Sequence, residues 1–257
     1  MKIMTEAGTI LNRLYKHLVP HVNNLRITGL RIGLSYVGVL LDNGAAGIAA
    51  VLPESSVRSC TVLKEAGTYI GSSAAKTLEY LIASKSALYR AIGLATANAI
   101  IFPKTEVTED REATTYLNLQ ANEKVAMVGL FGPLVERIRK TGALLTIIEK
   151  NPRRLELLSQ EDKQRALKEC DVAIITATTL LNNTFEETID LLTTPRSVVL
   201  MGPSTPLVTE IFQDTPVTHL GGAVVADAAE VLQIISEGGG TPALRPHLRF
   251  LNLIKNI

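Results

Sequence analysis

Threonine and asparagine side chains are dense in one short segment, residues 176–184, which follows an apolar run. Their hydroxyl and amide groups can bind anions, hard cations or oxygen-rich organic ligands. A turn followed by a helix cap accounts for some of them. The turn and the cap do not require the polar side chains of Thr178, Thr179 and Asn182. We treat these three as candidates for ligand contact, while a purely structural role stays open.

Four other segments of similar composition follow apolar runs in the same half of the chain. They are rich in Gly, Ser, Thr, Asn and Pro, and they cover residues 129–132, 149–152, 202–205 and 221–222. In an open parallel sheet, the segments that follow the strands meet in one crevice, where ligands bind. Free backbone N–H groups and hydroxyls at helix starts favour anionic or oxygen-rich ligands. The composition therefore predicts one such crevice, although caps and turns alone would require the same residue types.

The first of these segments tests for a dinucleotide site. Gly129 to Pro133 lacks the full G-x-G-x-x-G pattern, and Phe131 is bulky where a backbone would approach a pyrophosphate. Glu149 lies 20 positions after Gly129, where an acidic residue can accept hydrogen bonds from ribose hydroxyls. Two alternatives stay open for Glu149. It contacts the ribose of a nucleotide or of S-adenosylmethionine, or it forms a solvated ion pair with Lys150 or an arginine.

The elements that would position these segments alternate between apolar strands and helices throughout the second half. The predicted strands cover residues 124–128, 143–148, 172–176, 197–201 and 217–220. This alternation predicts a parallel sheet with helices packed on it. The strands are mostly continuous Val, Ile and Leu runs, as expected when both faces of a sheet are covered. We therefore predict a doubly wound, mostly parallel α/β sheet.

The first half has a different rhythm, with an amphipathic helix, three short strands and then two helices. The strands fall near residues 26–34, 36–41 and 47–52, and the last two helices cover 73–83 and 86–101. A strong turn signal between the second and third strands predicts an antiparallel meander. A polar, acidic segment follows, so we place the domain boundary near residues 104–122. The predicted domains are an α+β domain at 1–110 and an α/β domain at 111–257.

The composition excludes several classes of protein. In 257 residues, 26 Lys and Arg balance 25 Asp and Glu, so charge gives no case for binding nucleic acid or an anionic membrane surface. No apolar run approaches the roughly 20 residues of a membrane span, and the start of the chain lacks the apolar stretch of a signal peptide. We therefore expect a soluble, cytoplasmic protein whose partner is a small molecule, with its oligomeric state left open.

Sulfur ligands are scarce. The chain has two cysteines, Cys60 and Cys170, which excludes a disulfide framework and a cysteine-rich metal module. Both lie outside the predicted crevice, and Cys170 precedes a predicted strand, where a buried, inert thiol is expected. Soft metals prefer thiolate and thioether donors. The crevice is therefore expected to bind a hard cation, an anion or a small organic ligand. A metal chelate belongs to the last of these classes.

The histidines offer two further candidates. His17 and His21 have the four-residue spacing of a helical metal-binding pair, but Pro20 lies between them and is expected to break that geometry. His219 is near the end of the last predicted strand, where it could face the crevice as a ligand or an acid–base group.

Several motifs resemble a prokaryotic family of unknown function that is described as a putative heavy-metal chelation domain. They are Ala97-Asn98-Ala99, Glu149-Lys150-Asn151-Pro152, residues 176–184, Gly202-Pro203-Ser204-Thr205-Pro206-Leu207 and Glu237-Gly238-Gly239-Gly240. The resemblance implies a domain folded like the N-terminal domain of enolase, then a Rossmann-like domain, with a site in the cleft between them. It implies a ligand-binding set of Asn98, Glu149, Thr178, Thr179, Asn182, Gly202, Ser204 and Thr205. Ala177 departs from the pattern, where a glycine is expected.

Three functions stay open. The first is a binding protein, or an enzyme of unassigned reaction, for a small or metal-related ligand; its cofactor, if it has one, would be a metal ion or a metal chelate. The second is a nucleotide- or S-adenosylmethionine-dependent enzyme that uses Glu149 at the ribose. The third is an interaction module without a small-molecule site. Asn98 separates the first from the third, because it either faces Thr178 and Asn182 across a cleft or only ties backbone groups together within its own domain.

Overall fold

The computed structural model describes residues 9–52, 62–84, 86–101 and 117–255. The elements of the N-terminal half are α1 (Ile10–Leu18), β1 (Ile27–Ile32), β2 (Tyr36–Leu41), β3 (Ala46–Ala50), α2 (Ala74–Leu78), α3 (Tyr80–Ala83) and α4 (Ala87–Ile101). The three strands pair antiparallel in the order β1-β2-β3, which confirms the predicted meander. The segment predicted as one helix at 73–83 divides into α2 and α3.

Helix α4 is apolar on most sides and largely buried. It packs directly against β3. At Gly47 the two backbones approach so closely that a Cβ would lie 2.2 Å from the Ala99 nitrogen and 2.3 Å from the Ala95 oxygen. Only a residue without a side chain permits this contact. None of the helices in the described part of the chain combines the length and apolarity needed to cross a bilayer.

The C-terminal half contains one six-stranded sheet. Its strands are β4 (Lys124–Val128), β5 (Leu144–Ile148), β6 (Val172–Thr176), β7 (Ser197–Met201), β8 (His219–Val225) and β9 (Leu248–Ile254). Its helices are α5 (Gly132–Lys140), α6 (Gln160–Glu169), α7 (Thr178–Leu181), α8 (Phe185–Asp190), α9 (Ala228–Ser236) and α10 (Thr241–Leu244). The strand order is β5-β4-β6-β7-β8-β9, parallel except for β9. The predicted α/β class with a mostly parallel sheet is confirmed.

The last two strands differ from the prediction. We expected a strand at 217–220 that ended at a Gly221-Gly222 loop, and that expectation is wrong. Strand β8 continues through both glycines to Val225, because it is hydrogen-bonded to β7 on one side and to β9 on the other. The antiparallel strand β9 was not predicted. Gly221 and Gly222 are therefore inside the sheet and do not form a loop at its edge.

Both faces of the sheet are covered, as the continuous apolar strands predicted. Along β4, Val125 and Met127 pack into a cluster with α5, whereas Ala126 and Val128 pack into a larger cluster on the other face. That larger cluster also contains the apolar residues of α1, β2 and α4. The two halves of the chain therefore share one hydrophobic core.

Polar contacts also join the two halves. The Ile10 N–H donates to Glu186 Oε1 at 2.9 Å, and Arg90 Nε donates to the carbonyl oxygen of Leu181 at 2.7 Å. Arg90 is almost fully buried on α4, and its bond holds the end of α7. The predicted boundary between domains 1–110 and 111–257 falls largely in residues 102–116, outside the described residues, and stays a prediction.

Candidate functional site

The described residues form a crevice of about 530 Å³ at the carboxyl ends of β4, β5 and β6. Strand β4 comes first along the chain, β5 lies on one side of it and β6 on the other, so the strand order reverses here. This is the position at which open parallel sheets bind ligands. The lining residues are Val51, Leu52, Val128, Gly129, Leu130, Phe131, Ile148, Glu149, Lys150, Asn151, Pro152, Arg153, Arg154, Thr176, Thr178, Thr179 and Asn182.

Gly129 joins the ends of three strands under the crevice. Its φ is +87°, and its N–H donates to the carbonyl oxygen of Ile148 at 2.9 Å. A Cβ at this position would lie 2.8 Å from Thr176 Cγ2, so the glycine is needed both for its backbone conformation and for space. The close approach brings the segment after β4 next to the threonines that follow β6.

The Glu149 carboxylate is buried and fully engaged by protein groups. Oε1 accepts hydrogen bonds from the backbone N–H groups of Lys150 at 2.7 Å and of Asn151 at 3.0 Å. Oε2 accepts from the Leu130 N–H at 3.3 Å and lies 3.1 Å from Arg154 Nη1. A carboxylate accepts about four such contacts, so Glu149 has few positions left for a ligand. The carboxylate therefore organises the segments after β4 and β5.

The threonines after β6 are partly used within their own turn. The hydroxyls of Thr176 and Thr178 lie 3.0 Å apart and share a hydrogen bond, and the Thr179 hydroxyl donates to the carbonyl oxygen of Thr176 at 2.7 Å. Asn182 Oδ1 accepts from the Thr184 hydroxyl at 2.6 Å. Hydroxyls keep acceptor capacity after donating, and the Asn182 amide keeps its two N–H donors. Of the eight residues in the predicted set, Glu149, Thr178, Thr179 and Asn182 line the crevice.

Three cationic side chains line the crevice, those of Lys150, Arg153 and Arg154, and none of them was proposed from the sequence as a ligand contact. The same lining contains one carboxylate, that of Glu149, which Arg154 contacts, whereas the Lys150 ammonium donates to the Thr184 hydroxyl at 3.5 Å. Arg154 Nη2 also donates to the carbonyl oxygen of Leu130 at 2.9 Å. The signal was present in the segment after β5, where two arginines directly follow Pro152. It was not used, because charged loop residues are usually only solvated.

The other four predicted residues, Asn98, Gly202, Ser204 and Thr205, do not line the crevice. Asn98 Nδ2 donates to the carbonyl oxygen of Ile48 at 2.9 Å, so it ties α4 to β3 within the N-terminal half. By the criterion set above, this contact favours a structural role for Asn98. Ser204 and Thr205 are both buried in the segment after β7, and Gly202 lies at the start of that segment. A ligand role for these four residues stays a prediction.

Ser204 and Thr205 offer a matched pair of variants. The Ser204 hydroxyl accepts a hydrogen bond from the Ala50 N–H at 2.8 Å and so joins the two halves. The Thr205 hydroxyl is buried without a hydrogen-bond partner among the described residues. We expect Ser204→Ala to lower the free energy of unfolding by about 1–3 kcal/mol, because the Ala50 N–H loses its acceptor. Thr205→Val should leave it unchanged or raise it. Urea unfolding checks both, and equal losses in the two variants would contradict the assignment.

His219 is not at the end of its strand, and that part of the prediction is wrong. It is the first residue of β8, paired with Val199 and Ile254, away from the carboxyl ends of the strands. Its Nδ1 lies 2.8 Å from the Thr218 hydroxyl and 3.4 Å from that of Ser197. This position does not favour a role for His219 in the crevice.

Burial lowers the pKa of His219 below its ordinary value of about 6.5. The unfolded chain therefore binds more protons than the folded chain just below pH 6.5. The stability that depends on neutral His219 is present above that pH and is lost as the pH falls. We expect the Tm of the wild-type protein to fall more between pH 7.5 and 5 than the Tm of His219→Gln. Parallel falls in the two proteins would rule out this linkage.

Direct capture of a metal in the crevice finds little support. Among the described residues, no group of three or more His, Cys, Asp or Glu side chains is placed to hold a metal ion. Cys170 is buried, as predicted, and burial raises the pKa of its thiol to about 11, so it stays protonated at neutral pH. Cys60 lies outside the described residues. The donors in the crevice are oxygen and nitrogen groups.

The glycine-rich motif at 237–240 ends helix α9. The Gly238 N–H donates to the carbonyl oxygen of Ile235 at 3.0 Å, and the Gly239 N–H donates to that of Ile234 at 2.8 Å. This pair of bonds is the Schellman arrangement that closes a helix C-terminus. The motif therefore has a structural explanation.

The fold and the crevice define an α/β protein with a polar, cationic pocket at the switch point of a mostly parallel sheet. The chain belongs to the DUF364 family, described as "Putative heavy-metal chelation", whose model matches residues 112–254. A second model with the same description, DUF4213, matches residues 15–101.

Three similar proteins are described as uncharacterized or of unknown function. The crystal structure of a DUF364 family protein from Pyrococcus horikoshii matches with a TM-score of 0.80 and 21% identity, covering 96% of this chain and 100% of that one. A second, from Desulfitobacterium hafniense DCB-2, matches with a TM-score of 0.80 and 20% identity, covering 96% and 98%. An uncharacterized protein of Methanocaldococcus jannaschii is 28% identical over 148 residues, 56% of this chain, and the match spans 57% of that protein's length. At these identities, the structural likeness supports the fold alone.

Proposed function

We propose that this protein binds a small, oxygen-rich, negatively charged ligand in the crevice at the ends of β4, β5 and β6. Any heavy metal bound in this crevice would arrive as a complex of such a ligand. The observation that carries the proposal is the excess of cationic side chains, with Lys150, Arg153 and Arg154 against the single carboxylate of Glu149. Charge-assisted hydrogen bonds from arginine and lysine are the usual means of holding carboxylates and phosphates.

The proposal depends on how that charge is distributed. Arg154 is already paired with Glu149, which leaves Lys150 and Arg153 without a carboxylate partner among the described residues. Both are exposed, so a ligand can reach them from solvent. The hydroxyl of Thr178 and the amide of Asn182 add uncharged polar groups on the opposite side. Apolar side chains line the rest of the crevice, as is usual for small-molecule sites.

The description of the family as heavy-metal chelation fits this ligand class better than it fits bare metal ions. Soft metals prefer thiolate and thioether donors, and borderline metals such as Zn²⁺ also take imidazole; the described lining of the crevice contains none of these groups. A metal complexed by an anionic chelator presents oxygen atoms and negative charge to the protein. Arginine, lysine and hydroxyl groups recognise those features.

The nucleotide or S-adenosylmethionine alternative has one supporting feature, which is the position of Glu149 at the end of β5 beside Gly129. It requires the carboxylate to accept from ribose hydroxyls. In this structure three backbone N–H groups and Arg154 already contact that carboxylate. The alternative would require those contacts to be exchanged for a ribose.

A thermal-shift panel tests the two functions together. We expect stabilisation by anionic chelators such as citrate and pyrophosphate, alone or with Fe³⁺, and none by Mg²⁺ alone. A ligand present at 100 times its Kd should add about 2.7 kcal/mol. Stabilisation by S-adenosylmethionine or a nucleotide alone would favour the alternative. No shift with any ligand in the panel would favour an interaction module.

Charge reversal at Arg153 locates the site. Arg153→Glu should weaken binding of the stabilising anion by about 10- to 100-fold, the size expected for a lost charge-assisted hydrogen bond. Lys140→Glu, at the exposed end of α5 and outside the crevice lining, makes the same change in net charge. Titration calorimetry should show near-normal binding in Lys140→Glu. If both variants lose affinity equally, the effect is one of overall charge and the crevice is not the site.

A further inference from the structure

Two exposed histidines lie side by side where α1 ends. His17 is in the last turn of α1, and His21 ends the 3-10 turn, Val19–His21, that follows it. The centroids of the two imidazole rings are 6.3 Å apart, with the ring planes at 53°. Neither residue lines the crevice. The pair is therefore a separate feature of the N-terminal half.

Pro20 was expected to break this geometry, and that expectation is wrong. Leu18 and Val19 keep right-handed helical backbone angles, and Pro20 falls in the first turn of the 3-10 helix. A proline is tolerated there because its missing N–H is not needed at the start of a helix. The chain therefore keeps winding past Pro20, and His21 stays one turn beyond His17.

We propose that His17 and His21 form a binding site for a divalent transition-metal ion of the Cu²⁺, Ni²⁺ or Zn²⁺ class. A metal bound at about 2.1 Å from a ring nitrogen lies about 3.2 Å from the ring centroid. Two rings on one tetrahedral ion then have centroids about 5 Å apart. The observed separation differs from this by about 1 Å, which rotation of two exposed side chains can supply.

The dipole of helix α1 favours a cation at this place, against the positive charge of Lys16 in the same turn. The carboxyl end of a helix carries partial negative charge from its unpaired carbonyl groups, and a bound cation there is stabilised. Both imidazoles are in solvent, so the ion does not have to enter the protein interior. The remaining coordination positions would be filled by water, since the described residues offer no third His, Cys, Asp or Glu ligand. Imidazole nitrogen donors select these metals over Mg²⁺ or Mn²⁺.

Titration calorimetry of the full chain with Cu²⁺, Zn²⁺ and Mn²⁺ tests the site. We expect one equivalent to bind, in the affinity order Cu²⁺ over Zn²⁺ over Mn²⁺. His17→Gln and His21→Gln should each weaken Cu²⁺ binding at least about tenfold, whereas His247→Gln should not. Both positions are exposed, so the variants should fold like the wild type, which their Tm verifies.

Electron paramagnetic resonance of the Cu²⁺ complex gives a second reading. Coupling to two imidazole nitrogens is expected in the wild type and to one nitrogen in each single variant. Wild-type affinity in both single variants would overturn the proposal, as would a loss that follows His247. Arg153→Glu should leave Cu²⁺ binding unchanged, so failure of this site and failure of the crevice proposal can be told apart.

Discussion

Gly47→Ala is expected to lower the free energy of unfolding by at least about 3 kcal/mol, the upper part of the range for overpacked cores. The new Cβ would lie 2.2 Å from the Ala99 nitrogen and 2.7 Å from the Asn98 carbonyl carbon. These are backbone atoms of α4, so no side-chain rotation can relieve the overlap. Strand β3 and helix α4 would have to separate. For a chain of this length, such a loss lowers the Tm by about 6–12 °C.

Gly132→Ala is the control for this prediction. Gly132 is the first residue of α5, and apart from its chain neighbours a Cβ there would meet nothing within 4 Å. Its substitution should change the Tm much less than Gly47→Ala does, because the strain that Pro133 places on a helical residue before it is opposed by the restriction that alanine places on the unfolded chain. Thermal unfolding followed by circular dichroism compares the two variants. A Gly47→Ala protein as stable as Gly132→Ala would mean that β3 and α4 are not in backbone contact.

Glu149→Ala is expected to destabilise the protein even when no ligand is present, by about 3 kcal/mol. The substitution leaves the N–H groups of Lys150, Asn151 and Leu130 without their acceptor. It removes the carboxylate partner of Arg154, which keeps its bond to the Leu130 carbonyl oxygen. Arg154 is half exposed and can turn to solvent, so most of the loss comes from the backbone groups. Urea unfolding of the ligand-free variant measures it.

Glu156→Ala is the control for this second prediction. Glu156 is an exposed carboxylate seven positions further along the same segment, and its loss should change stability by less than about 0.5 kcal/mol. If Glu149→Ala were as stable as Glu156→Ala, the carboxylate would not organise the crevice. The comparison also affects the nucleotide alternative. Loss of ligand binding in Glu149→Ala would by itself not demonstrate contact with a ribose, because the variant also disturbs the crevice.

The sequence predicted the elements whose signal is local. Strands β4, β6 and β7 have the bounds expected from their apolar runs. The predicted strand that corresponds to β8 ended too early, because two glycines give a turn signal. The strand forms because β7 and β9 pair with it from both sides, and pairing of this kind is set by residues far away in the chain. The antiparallel β9 was missed for the same reason.

The lining of the crevice was predictable only in part, for a related reason. Thr178, Thr179 and Asn182 were proposed from the sequence and do line it, because polar residues after a buried strand are informative by themselves. The partner of Ser204 is Ala50, 154 positions earlier in the chain, and no local pattern reveals that contact. Arg153 was not proposed, because its suitability as a ligand contact follows only from its position in the crevice.

The hydrophobic cluster that runs from α1 and α4 into one face of the large sheet has a consequence for how the molecule melts. Two family models divide the chain, but each portion buries part of its apolar surface against the other. Either portion alone would expose that surface to water, which is unfavourable. Calorimetry should show a single endotherm whose measured enthalpy equals the van 't Hoff value. Fragments expressed separately should be insoluble or unfolded, and mixing them should restore structure.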